Sequence, residues 1–348
     1  MKQAFVDRNT AVTIRDTEIP SPKEGQLLIR VVVSGTNPKD WKLPQWPMRD
    51  GHGPSNEGDD IAGYVEAVGE GVVGFSKGDK VAAFHQMLTA DGSFAEYAIA
   101  HAYTTFHLPA KTSFEEGATI PLAAMTAALG LYQRLNLPLP WNPASEPLPL
   151  VVYGGASAVG AYALKFAKLS NIHPLIVVAG RGKPYVETLI DRSKGDTIID
   201  YRDGDDAVKA QIAAAIAGKP IRHAFDAVSE KGSYQNIASV LTSPGTITTV
   251  LPATGYQAPT GITIVGTNVG SVHHPPTEGK EVEDREFGAA FFPLIGRGLT
   301  QGWFSGHPHE VHPGGLGGLE GALKDLAAGK ASAVKYVVRI GETEGASQ

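Results

Sequence analysis

The chain of 348 residues contains no cysteine at all, and only four methionines and four tryptophans. Without cysteine there is no disulfide, no thiolate ligand for a metal and no thiol nucleophile. No apolar run approaches the roughly 20 residues that a membrane-crossing helix needs. Basic residues are in the minority, 30 against 36 acids, so a net charge of −6 provides no footprint for nucleic acid. The residues after Met1 lead straight into strand-like sequence with no secretory leader, and the expectation is a cytoplasmic protein. What is present in quantity is apolar residue, 42% of the chain, enough for the cores of about two domains at this length.

One stretch organises the rest. The apolar run Leu150-Val151-Val152-Tyr153, with two β-branched valines, meets the small-residue turn Gly154-Gly155-Ala156-Ser157-Ala158-Val159-Gly160, and a helical pattern follows at once. This predicts the strand–turn–helix opening of a dinucleotide-binding unit, with Gly155, Ser157 and Gly160 in the three places of G-x-G-x-x-G. Backbone N–H groups and the positive end of the helix dipole then face a pyrophosphate. Ala158 and Val159, in the same turn, are cofactor candidates with them.

Taken in order, residues 26–33, 61–69, 80–84 and 94–99 read as strands separated by glycine-rich turns, which suggests a small barrel. Residues 114–135 read as helix and 136–149 as a proline-rich connector. From residue 150 strands alternate with helices. The candidate strands are 150–154, 175–179, 197–201, 223–228, 246–251 and 262–269, with helices expected at 206–217 and 234–241. That alternation predicts an α/β fold built on a doubly wound parallel sheet. After Val272 the sequence reads as irregular through His273-His274-Pro275-Pro276, and it closes with a helix near 319–326 and a strand at 334–340.

An NAD-preferring unit usually carries an acid at the end of its second strand, to bind the ribose hydroxyls. Here that strand ends Ala179-Gly180-Arg181-Gly182-Lys183, with two cations and no acid. A 2′-phosphate is a dianion, so Arg181 and Lys183 beside Gly180 favour NADPH. Tyr201, ending the third strand, adds a hydroxyl or a ring for adenine. Val250 and Leu251, ending the fifth, complete the cofactor candidates.

Several motifs then align in order. Asn37-Pro38-Lys39-Asp40-Trp41-Lys42 resembles the N-P-x-D-x-K of the zinc-free quinone oxidoreductase and enoyl reductase branch of the medium-chain dehydrogenase/reductase superfamily. Gly58-Asp59-Asp60-Ile61-Ala62-Gly63-Tyr64-Val65 with Gly78-Asp79-Lys80-Val81 is similar to its G-x-D-x-x-G-x-V…G-D-x-V. Pro121-Leu122-Ala123-Ala124-Met125-Thr126-Ala127 is similar to its P-x-x-x-x-T-A. The resemblance spans nearly the whole chain and is strongest to fungal toxD-like proteins and the trans-acting enoyl reductases of polyketide synthases. It implies a GroES-like β-rich catalytic domain at 1–118, a Rossmann domain at 119–272 and a return segment at 273–348. It also implies that Lys39, Asp40, Trp41 and Lys42 lie along the nicotinamide ribose and substrate, with Thr126 against the nicotinamide. Zinc members of the superfamily place a cysteine where Asn37 stands, use a histidine–glutamate pair near Asn56-Glu57 and carry a four-cysteine lobe. This chain has none of those cysteines, so no metal is expected.

The remaining polar clusters read more plainly. His307, His309, Glu310 and His312 lie in a Pro- and Gly-rich segment without the helical H-E-x-x-H arrangement, so a solvated loop is expected rather than a metal site. His273 and His274 follow the sixth strand and edge a cleft or merely a loop. Trp46 and His52 suit a substrate pocket and ordinary loop packing equally. The expected function is a zinc-independent, NADPH-dependent reductase of an activated C=C bond in an enone, a quinone or an enoyl thioester, the last delivered by a carrier. A zinc-free carbonyl or alcohol oxidoreductase and a non-catalytic NADPH-binding protein are the alternatives. Lys42 and Thr126 are the catalytic candidates. The oligomeric state stays open between a monomer and a dimer paired through the sixth strand.

Overall fold

The structure, a computed structural model, describes residues 1–216, 218–274 and 280–347. Ala217, Pro275 and Pro276, named above, lie outside the described residues. In chain order the strands are β1 (Lys2–Val6), β2 (Val12–Asp16), β3 (Gln26–Gly35), β4 (Asp60–Val68), β5 (Lys80–Phe84), β6 (Tyr97–His101), β7 (Thr105–His107), β8 (Leu150–Tyr153), β9 (Leu175–Ala179), β10 (Thr197–Asp200), β11 (His223–Asp226), β12 (Gly245–Thr249), β13 (Ile262–Gly266), β14 (His309–His312) and β15 (Lys335–Arg339). The helices are α1 (Pro38–Lys42), α2 (Phe114–Gly117), α3 (Pro121–Ala128), α4 (Ala158–Leu169), α5 (Lys183–Glu187), α6 (Asp205–Ala215), α7 (Ser233–Ala238), α8 (Lys280–Gln301) and α9 (Leu319–Ala327).

The chain folds as two compact units, Met1–Leu122 with Gly270–Gln348, and Ala123–Val269. The first unit is built on a sheet ordered β14-β15-β3-β4-β5-β7, with β6 also paired to β3. β3 is long enough to serve two partners along one edge: Gln26–Arg30 pair with β6, and Val33–Gly35 pair with β15. Inward-facing Leu27, Ile29, Ile61, Val65, Val81 and Phe94 make its core, which Leu319 and Leu323 of α9 join. The alternation of these side chains along each strand is what buries one face.

The second unit is a parallel sheet ordered β10-β9-β8-β11-β12-β13. β8 and β9 are buried along their whole length, as strands covered on both faces by helices must be. The strand order reverses between β8 and β11, which puts the turn after β8 at the switch point where such sheets bind ligands.

Three expectations are corrected. The helical run from 114 breaks after Gly117, resumes as α3 and ends in a π-helical turn, Leu129–Arg134. The stretch after Val272 read as irregular holds the long helix α8. Its apolar residues interleave with Gly288, Pro293, Gly296 and Gly298, which mask the helical period, while its Phe292 stacks 6.2 Å from Phe106 of β7. The His307–His312 segment is also no solvated loop. His307 is 2% exposed, His309–His312 is strand β14, and the His312 ring sits edge-on to Tyr336, 4.4 Å away. Strand alternation turns successive side chains to opposite faces, and among the described residues no group of three histidines and acids is set to hold a metal.

Candidate functional site

In the second unit the turn after β8 leads into α4. Ser157 caps the helix, its Oγ accepting the Gly160 N–H at 3.0 Å. That satisfies one of the orphan N–H groups of the first turn. Ser157 is exposed, and Ala158 and Val159 are half-buried, so the helix start faces outward. Gly160 is required by close approach: a Cβ there would lie 2.3 Å from the Gly154 carbonyl oxygen. Gly155, buried at the strand end, sits against Val177 of β9.

The ends of β9 and β10 lie beside this turn. Gly180 is shaped by Tyr201, since a Cβ on it would meet the tyrosine ring at 2.4 Å. The Tyr201 side chain is itself 48% exposed. Arg181 is exposed and Lys183 half-buried at the start of α5. Sequence reasoning missed Asp200, the last residue of β10. Its carboxylate takes Lys183 at 2.7 Å and a two-pronged contact from Arg202 at 2.8 and 2.6 Å. Hydrogen bonds from these two cations hold it well below the usual carboxylate range. The structure thus gathers Gly155, Ser157, Gly160, Gly180, Arg181, Lys183 and Tyr201 at the ends of three neighbouring strands.

Further along the sheet, Asp226 ends β11 fully buried. It accepts the N–H groups of Val228 and Ser229, each at 2.9 Å, and the Ser233 hydroxyl. Burial raises its carboxyl above the ordinary value against those donors. Ser229 in turn accepts the Val250 N–H at 2.9 Å, which fixes the residues after β12. Val250 and Leu251 are half-buried there. Beside them Thr249, Pro252, Ala253, Tyr256, Ala258, Ile264 and Gly266 line a cleft of about 340 Å³. The Thr249 hydroxyl is buried without a hydrogen-bond partner among the described residues. A cleft that carries an unsatisfied hydroxyl suits a ligand group that brings a polar atom to it. Thr126, 5% exposed on α3, also belongs to this unit.

Lys39, Asp40, Trp41 and Lys42 belong to the first unit, together on α1. The Lys42 ammonium lies 5.3 Å from the centre of the Trp41 ring. The start of α1 is fastened by a buried polar network. Asp40 accepts the Asn37 N–H at 2.7 Å. The Asn37 amide donates to Asp60 at 2.6 Å, and Lys335 reaches both Asn37 Oδ1 at 3.0 Å and Asp60 at 2.6 Å. Asp60 also accepts the Leu122 N–H at 2.7 Å. Lys335 and Asp60 are 3% and 0% exposed. Lys39 pairs with Asp40 at 3.1 Å and with Asp59 more closely, and it donates to the Glu57 carbonyl. Burial would by itself lower the Lys39 ammonium, but Asp59, Asp40 and Glu57 raise it well above its ordinary value. Burial is also the largest influence on Asp40 and Asp59, pushing each up to about 7 against the pull of Lys39.

The other sequence candidates have structural work. Asn56 shapes the turn before β4, donating to the Gly92 carbonyl and accepting from Gly58 and Phe94. The Glu57 carboxylate is held by Arg49 at 3.1 Å and by Ser55. Trp46 is half-buried and His52 exposed. His273 is buried against Phe84, with ring centres 4.8 Å apart.

Comparison with known proteins places this geometry. Residues 23–110 match the alcohol dehydrogenase GroES-like domain. The chain is 48% identical over 320 residues to the trans-enoyl reductase fsr4 of Gibberella fujikuroi, covering 90% of this chain and 91% of that one. It is 32% identical over 359 residues to the trans-enoyl reductase resD of Aspergillus sclerotiorum, covering 95% and 97%. Among solved structures, mycobacterial Rv1454c, determined in complex with NADPH, shares the fold with a TM-score of 0.75 and 21% identity over 97% of this chain and 100% of that one. The chain therefore belongs to the medium-chain dehydrogenase/reductase superfamily of oxidoreductases, in the family of the fungal trans-enoyl reductases.

Proposed function

We propose that this protein is a zinc-independent, NADPH-dependent reductase of activated C=C bonds in enones, quinones or enoyl thioesters. The observation that carries this reading is the 48% identity to a trans-enoyl reductase along 90% of the chain. The outward-facing, Ser157-capped start of α4 fits a pyrophosphate. Arg181 and Lys183 fit a 2′-phosphate. Asp200 is engaged by Lys183 and Arg202, so its charge is already met within the protein.

NADPH, held by Ser157, Arg181 and Lys183 in this reading, would supply hydride for the β-carbon of the conjugated alkene, and solvent water would supply the proton that completes the reduction at the α-carbon. The chain's own residues then answer the negative charge that develops on the substrate carbonyl oxygen. In this reading Lys42 of the first unit offers a cation and Thr126 of the second a short hydroxyl. Their contribution in this reading is positioning and electrostatic stabilisation. The test is NADPH oxidation with a panel of enones, quinones and enoyl thioesters, with aldehydes and ketones as controls. Turnover of carbonyls alone would overturn the assignment.

Two predictions follow from the cofactor and metal readings. Arg181→Ala should weaken NADPH binding by about 10- to 150-fold, the equivalent of one charge-assisted hydrogen bond of roughly 1.5–3 kcal/mol, while leaving NADH binding nearly unchanged. Fluorescence titration with both cofactors checks this, and equal weakening of the two would make Arg181 a structural residue. Activity should also survive chelation, with well under one zinc per chain by elemental analysis. The acids around α1 already hold Lys39 and Lys335, and no thiolate exists to replace them. One tightly held zinc whose removal abolishes turnover would refute this.

A further inference from the structure

The network under α1 does not balance in charge. Asp60 is paired with Lys335, and Glu57 with Arg49. That leaves Lys39 alone to neutralise two carboxylates, Asp40 and Asp59, which are 0% and 2% exposed. With both ionised, the group would carry a net negative charge away from water, a costly arrangement. Among the described residues, no ion pair other than those of Lys39 reaches Asp40 or Asp59. His85 is buried, which lowers its basicity, and its Nδ1–H donates to the Ile99 carbonyl at 2.6 Å. Adding one proton to the pair removes the imbalance.

We propose that Asp40 and Asp59 share one exchangeable proton clasped by Lys39, and that this proton is the positioning element that keeps α1 seated for the reaction. Asp40 accepts the Asn37 N–H at the head of α1, and Asp59 ties Lys39 to the segment that enters β4. When the proton leaves to solvent, as an O–H bond breaks and its electron pair stays on the carboxylate, two buried anions face each other across one ammonium. The seat of Trp41 and Lys42 on the same short helix is then strained. Burial raises both carboxyls above their ordinary range, and two acids on one ammonium titrate as a pair rather than singly. The catalytic half of this inference rests on the reductase reading; the shared proton itself does not.

Asp59→Asn is the test, because the amide keeps the shape and cannot titrate. The folded pair retains a proton that the unfolded chain has released above about pH 4, so the wild type should lose stability as pH rises from about 4 to about 7 and no more beyond that. Thermal midpoints of wild type and Asp59→Asn, measured from pH 4.5 to 9 on the full chain, should therefore diverge across that window in favour of the variant. Parallel curves would overturn the shared proton. In kinetics, the wild-type kcat/KM should fall about tenfold per pH unit above the midpoint, and Asp59→Asn should shift that limb to higher pH by at least one unit. An unmoved limb would overturn the positioning role even if the midpoints diverge. Diverging midpoints in a protein that reduces no alkene would support the shared proton and sink the proposed reaction instead. If Asp59→Asn fails to fold, Asp40→Asn removes the other half of the pair and should show the same divergence.

Discussion

Lys335→Met is expected to destabilise the first unit by about 3–5 kcal/mol, the usual result of removing one partner from a buried ion pair. Lys335 donates to Asp60 and to Asn37, and all three are buried. Methionine keeps most of the volume but leaves Asp60, among the described residues, with the Asn37 amide and the Leu122 N–H as donors. Urea unfolding of the wild type and the variant measures the loss. Adding Asp60→Asn to Lys335→Met should recover part of the loss, since it removes the stranded charge. A single-variant loss below about 1 kcal/mol would mean that water reaches Asp60 and that the network is not the clamp described here.

Lys42→Ala should lower kcat by about 10²–10³, the effect of deleting one preorganised donor to a developing oxyanion. NADPH affinity should change much less. The expectation depends on Lys42 being held in place before the reaction. α1 is short, but its head is fastened to β4 and β15 through Asn37, Asp60 and Lys335, and the Lys42 ammonium lies near the Trp41 ring. Thr126→Val should act in the same direction but more weakly, because valine keeps the shape and removes only the hydroxyl. Single-turnover kinetics with saturating NADPH and a good enone separate chemistry from binding. Normal kcat in both variants would return Lys42 to loop polarity and Thr126 to helix packing.

The nucleotide unit was legible because its signals are local. A run of four apolar residues with two adjacent valines, a turn of small residues and an immediate helix define β8 and α4 within about twenty positions, and β9 has the limits read for it. The helix α8 was not legible, because Gly288, Pro293, Gly296 and Gly298 interrupt the apolar period and only packing on β7 makes it continuous. The end of β9 was read for what it lacks, an acid. The acid that matters there, Asp200, comes from the neighbouring strand and is brought to Lys183 only by sheet pairing.

By itself, then, the chain's composition excludes disulfides and thiolate metal sites, and its local patterns determine the strand–turn–helix opening, the strands of the parallel sheet and the cation pair beside the turn. Tertiary structure alone decides the state of the charges under α1. Asp60 and Lys335 are 275 positions apart and Asn37 and Lys335 are 298 apart, yet they make one buried network. An aspartate next to another aspartate in sequence looks like any solvated acid. Its burial, its partner and its proton are set by which distant strand closes over it, because the cost of a charge depends on the water and counter-charges around it and not on its neighbours along the chain.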